Sequence, residues 1–126
     1  MRSALIAALA LASCQPAFAQ STSTVRAAPA VSGGFVVRAG SGYLSGANVT
    51  SGASAGYVMV FDSATVPADG AVAPIRCVPI AANTGIDFDW RAAPLRFDRG
   101  AAIVFSTTGC FTKTASATAF IAGDVR

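Results

Sequence analysis

From Phe35 onward, glycine, proline and asparagine cut the chain every few residues into short runs rich in β-branched and aromatic side chains, and this spacing constrains the fold most. The runs are Phe35 to Arg38, Tyr43 to Thr50, Tyr57 to Asp62, Pro74 to Ile80, Gly85 to Trp90, Leu95 to Asp98, Ala101 to Thr107 and Thr114 to Ile121. Between them lie turn residues such as Gly40-Ser41-Gly42, Pro67-Ala68-Asp69-Gly70, Asn83-Thr84-Gly85 and Arg99-Gly100. Roughly seven or eight short antiparallel strands at this spacing predict an all-β, single-domain sandwich or jelly roll over residues 33–126. No segment past the leader sustains the 3.6-residue apolar period of an amphipathic helix.

The strands are of two kinds. In Ile86-Asp87-Phe88-Asp89-Trp90-Arg91 apolar and charged residues alternate, the pattern of a strand with one face in the core and one in water. Leu95-Arg96-Phe97-Asp98 repeats it. With Ala92-Ala93 as the turn, a hairpin would set Phe88 opposite Phe97, Trp90 opposite Leu95 and Asp89 opposite Arg96. Tyr57 to Phe61 and Ala101 to Phe105 are instead apolar on both faces. Such strands must be covered twice, and with few charges in the chain the expectation is self-association into a homo-oligomer, cover by the chain's own loops being the alternative.

The first 20 residues set the compartment. Met1-Arg2, an apolar run from Ala4 to Ala12 and the small residues of Ala17-Phe18-Ala19 read as a secretory signal peptide over residues 1–19, cleaved between Ala19 and Gln20. The run is too short to span a bilayer, so no transmembrane span is expected in the mature chain. Leu11-Ala12-Ser13-Cys14 also fits a bacterial lipobox, which would make Cys14 a lipidation site and anchor the protein to the envelope. Either route exports the protein, to the periplasm or the exterior. Residues 20–32, rich in Ser, Thr and Ala, offer little to bury and are expected to form a flexible stem.

Past the leader, Cys77 and Cys110 remain as an even pair. In an exported domain such a pair is most often joined, which would stabilise the fold by about 3 to 4 kcal/mol; free buried thiols are the alternative. A zinc site would lack its usual ligands, because the chain has no histidine and no C-x-x-C spacing.

The same lack of histidine excludes Ser-His-Asp and Cys-His catalysis. Asp87 and Asp89 could form a glycosidase pair or part of a calcium site, but neighbouring arginines account for them more simply as a solvated charge ladder. Thr112, Thr114, Ser116 and Thr118 would line one side of a strand, a row that could bind a flat ligand and is more often an exposed strand face. Glycines between Gly33 and Gly56 show no phosphate-loop spacing, and Asn48-Val49-Thr50 matches a glycosylation acceptor that a bacterial-type leader makes incidental. The cationic residues are dispersed rather than clustered along the sequence, which argues against nucleic acid as a partner. No catalytic residue, metal ligand or cofactor is implied.

Ser51 to Asp62, Pro67-Ala68-Asp69-Gly70, Ile75 to Pro79, Pro94 to Phe97 and Phe105 to Ile121 resemble the small β-rich structural proteins of bacteriophages and prophages. The resemblance covers roughly residues 50–126, implies a virion-type structural or decoration protein and carries no functional residue to transfer. Virion proteins have no use for a signal peptide, so either a phage-type module has been recruited to the cell envelope or the first residues are not a working leader; the clean Ala17-Phe18-Ala19 site favours recruitment. The expectation is therefore an exported, non-enzymatic structural or surface-interaction protein. The alternative is a binding module for a glycan or another envelope component.

Overall fold

The structure, a computed structural model, describes residues 22–126. These residues form an all-β fold with no helix, built on two antiparallel sheets that share one core. The first sheet comprises β1 (Thr24–Ala27), β11 (Phe120–Val125), β3 (Gly42–Thr50) and, along the free side of β3, both β7 (Gly85–Asp89) and β8 (Leu95–Phe97). In the second sheet, β2 (Gly34–Ala39), β9 (Gly100–Ser106), β4 (Gly56–Asp62) and β6 (Arg76–Ile80) lie in that order. A two-stranded ribbon of β5 (Gly70–Ala71) and β10 (Thr112–Lys113) completes the set.

Between the sheets lie Val37, Leu44, Val49, Val58, Val60, Ile103, Phe105 and Ile121, all essentially inaccessible to water. Each such side chain contributes about 1.5–3 kcal/mol by leaving water, so this layer is the main source of stability. At Gly123 the opposite sheet lies so near that a Cβ would meet the Val37 side chain at 2.7 Å, which favours glycine there. A register shift in the pairing of β3 with β11 accommodates an extra residue, Ser45, so that Leu44 faces the same core as Ala47 and Val49.

The two-faced strands sit where the pattern requires. β9 is buried along its whole length between β2 and β4. On one face Val58, Val60, Ile103 and Phe105 enter the inter-sheet core; on the other Met59, Phe61, Ala102 and Val104 form a second apolar cluster with Val72, Tyr57 and Cys77. The chain itself supplies the cover for this second face. Val66 packs over Gly34 beside Val104, Val72 packs on the cluster, Ile75 N–H donates to Val60 O at 2.8 Å, and the β5–β10 ribbon is tied down by the Cys77–Cys110 disulfide and by Lys113 on Asp69. The expectation of self-association rested on this face being uncovered, and that argument falls away.

Three other expectations change. The supposed stem contains β1, which pairs with β11 from Thr24↔Val125 to Ala27↔Ala122, and Ala28 beyond it is buried. Its backbone satisfies groups on the edge of β11 that would otherwise lack a sheet partner. Second, β7 and β8 do not form a hairpin. Both pair with β3, with Gly46↔Asp89 and Leu44↔Leu95, and Arg91 to Pro94 loop out between them around a turn closed by Ala93 N–H on Trp90 O at 3.0 Å. A two-residue hairpin favours residues of positive φ, which Ala92-Ala93 do not supply. Phe88 therefore stacks on Trp90, with ring centroids 5.0 Å apart, instead of facing Phe97. Third, Thr114 to Ile121 is no continuous strand; β10 ends at Lys113 and β11 begins at Phe120.

Candidate functional site

Cys77 and Cys110 are joined, with Cα atoms 5.7 Å apart. The bond staples β6 to the loop before β10 and so belongs to the cover rather than to any chemistry. Beside it Lys113, almost fully buried, donates from Nζ to Asp69 Oδ1 at 2.6 Å, and the same carboxylate accepts the Ala115 N–H at 3.1 Å. The Lys113 hydrogen bond, with help from Ala115, lowers the Asp69 pKa below its ordinary value. Asp62 acts similarly at the turn into β9, accepting backbone N–H groups from Arg99, Asp98 and Gly100, which lower its pKa as well.

The proposed hydroxyl row does not exist as a surface. Ser106 Oγ takes the Thr114 N–H at 2.9 Å, Thr108 and Thr114 bond each other through their hydroxyls, and Ser116 and Thr118 do so at 3.0 Å. Local side-chain bonds of this kind compete with strand pairing, which is why a hydroxyl-rich segment breaks where an alternating one would continue.

Asp87 and Asp89 do lie on the outer, water-facing side of β7. Their partners differ from the expected ladder: Asp87 accepts from Asn48 Nδ2 on β3 at 2.6 Å, whereas Asp89 is held by Arg91, at 3.0 Å from Nε and 2.8 Å from Nη2, and Arg96 turns to Asp98. The Arg91 side chain, followed by its own backbone N–H, brings the Asp89 carboxyl down to about 2, and the pairing raises Arg91 in turn. Among the described residues no group of three potential ligands is close enough to hold a metal ion.

Pairing across the sheet brings a third carboxylate into this region. Asp124 on β11 and Asp89 on β7 are both register partners of Gly46, and Ala122 is the partner of Asn48. Because Gly46 and Ala122 are small, the polar residues rise around a shallow open trough of about 390 Å³, with Val25 of β1 at one end and Arg91 at the other. Ser45 also lines it, fully buried, and its hydroxyl has no hydrogen-bond partner among the described residues. A buried hydroxyl left unpaired costs about 1–3 kcal/mol, a local cost at the register shift beneath the trough. Sequence reasoning found Asp87 and Asp89, read Asn48 only as an incidental glycosylation acceptor and missed Ser45 and Asp124; only strand register brings these three beside the aspartates.

Cys14, Ala19 and Gln20 lie outside the described residues. No helix among the described residues is long and apolar enough to cross a membrane, and the disulfide is compatible with export. Comparison with protein-family models, curated proteins and solved structures finds no match to this chain.

Proposed function

We propose that the protein is an exported, non-enzymatic surface-interaction module, related in design to phage structural proteins, whose open sheet face binds a hydroxyl-rich envelope component such as a glycan. The observation that carries this reading is the trough over Gly46, where carboxylates and the Asn48 amide surround small residues on a sheet. Carboxylate and amide groups exchange hydrogen bonds readily with sugar hydroxyls, and an open trough suits a chain that extends beyond the site. The covered second sheet supports the same reading, since it leaves the first sheet's outer face as the broad polar surface available to a partner.

Retention of the mature protein on a glycan array and on isolated envelope material tests this. The expected result is retention by the parent chain and loss of it in the Asn48→Ala/Asp87→Ala variant, whose substitutions lie on the wet face. Equal retention of parent and variant, or none of either, rejects the trough as a binding site.

A further inference from the structure

The charges look dispersed along the sequence, yet the fold gathers Arg26, Arg38 and Arg126 around one cavity of about 330 Å³ at the open side of the sandwich. Two come from different strands and the third follows β11, and each backbone is held by hydrogen-bonded pairing. Arg26 lies in β1 opposite Gly123, Arg38 lies in β2 opposite Ala101, and Arg126 follows β11 with its N–H on Tyr43 O at 2.9 Å. Thr22 and Thr24 add hydroxyls to the lining, and no acidic side chain joins them.

No acidic side chain among the described residues forms an ion pair with this cluster. The ion pairs there use Arg91, Arg96 and Lys113, and none involves these three guanidinium groups. The Nε of Arg126 is buried with no hydrogen-bond partner among the described residues. An anion in this cavity would offset the repulsion among three like charges and could offer an acceptor to the Arg126 side chain, whose Nε–H has none. Guanidinium groups present planar forks that match the oxygens of phosphate in pairs, and threonine hydroxyls complete such a shell.

We infer that the seam between β1 and β2 is a binding site for a phosphate-type oxyanion, either free in solution or carried as the headgroup phosphate of a lipid. It is independent of the trough. Along β1 and β11 successive residues take opposite sides, so that Val25 and Asp124 line the trough while Thr24, Arg26 and Val125 line the seam.

The test is a titration of isotope-labelled protein with inorganic phosphate at constant ionic strength, followed by amide and arginine Nε–H resonances. A parallel arm measures co-sedimentation with phosphatidylcholine vesicles with and without phosphatidylglycerol. Saturable shifts centred on Thr24, Arg26, Arg38 and Arg126 are expected. In Arg26→Gln/Arg38→Gln affinity should fall by about a hundredfold, on the order of tenfold for each charged hydrogen-bonding group removed. Arg38→Lys keeps the charge but loses the fork; it should weaken binding by about tenfold and serves in place of the double variant if that does not fold. Seam-dependent sedimentation with phosphatidylglycerol assigns the lipid source, and phosphate binding without it assigns a soluble one. Diffuse or unsaturable shifts, binding unchanged in the variants, or no binding in either arm overturns the inference. Glycan retention is read separately, so failure here leaves the trough reading intact.

Discussion

The outer faces of the two sheets meet opposite fates. That of the second sheet is apolar, carrying Met59, Phe61, Ala102 and Val104, and is roofed by the chain's own loops. That of the first carries Asn48, Asp87, Asp89 and Asp124 and stays open to water. The strands explain the difference: β4 and β9 have apolar residues in both sets of alternate positions, while β7 alternates apolar with acidic. A strand apolar on both sides creates a demand for cover, and here a disulfide, a buried lysine and a ribbon of four residues meet it within one chain.

The sharpest way to break this contrast is to place the same charge on both faces. Met59→Asp puts an unpaired carboxylate under the roof and should destabilise by about 3–5 kcal/mol, a large share of a domain's usual stability, read as a fall in the urea midpoint. Asn48→Asp on the open face should stay within about 0.5 kcal/mol of the parent. A Met59→Asp protein with the parent's urea midpoint would show that the roof is loose and return self-association to consideration.

Next in size is the staple. Cys77→Ala/Cys110→Ala frees a loop with a sequence separation of 33 and should cost about 3–4 kcal/mol on the chain-entropy argument, read from the urea midpoint. Because the bond lies in the roof, a dye that binds exposed apolar surface should report the change; an unaltered midpoint would mean that Lys113 and Asp69 suffice to hold it.

The smallest effect is acid sensitivity. Asp62, Asp69 and Asp89 are all lowered from about 3.8, so the folded state binds fewer protons than the unfolded one as pH falls below about 4. Their contribution is present above that value and is lost as pH falls through the folded pKa, which for Asp89 is about 2. The urea midpoint should therefore be level near neutrality and decline below about pH 4. Added salt should erase the share of the exposed Asp89–Arg91 pair before that of Asp69 with its buried lysine. A midpoint independent of pH down to 2 would contradict these pairings.

Most strands were legible because their signal is local. Tyr43 to Thr50, Tyr57 to Asp62 and Ala101 to Thr107 match β3, β4 and β9 within a residue or so at each end, and the Asn83 turn falls where expected, with Asn83 at a φ of 53°. Partners were less legible. Phe88 and Phe97 share an alternating pattern that would fit a hairpin equally well, and only competition for the edge of β3 separates the possibilities. Thr24 to Ala27 gave little sign of being a strand, since its residues stay exposed and its reason for order is the edge of β11 nearly a hundred residues away. The trough was half visible, through Asp87 and Asp89, and the arginine seam was invisible because its members stand far apart in the chain.

Alternation is a property of adjacent residues, because consecutive side chains on a strand point to opposite faces. It was therefore enough to establish from sequence the all-β class, the positions of most strands and which of them must be dry on both sides. What covers those strands, which edges pair and which charges meet depend on contacts between residues distant in sequence. Many pairings satisfy the same local pattern, so only the closed tertiary structure, in which backbone groups and apolar faces must all be satisfied together, decided among them.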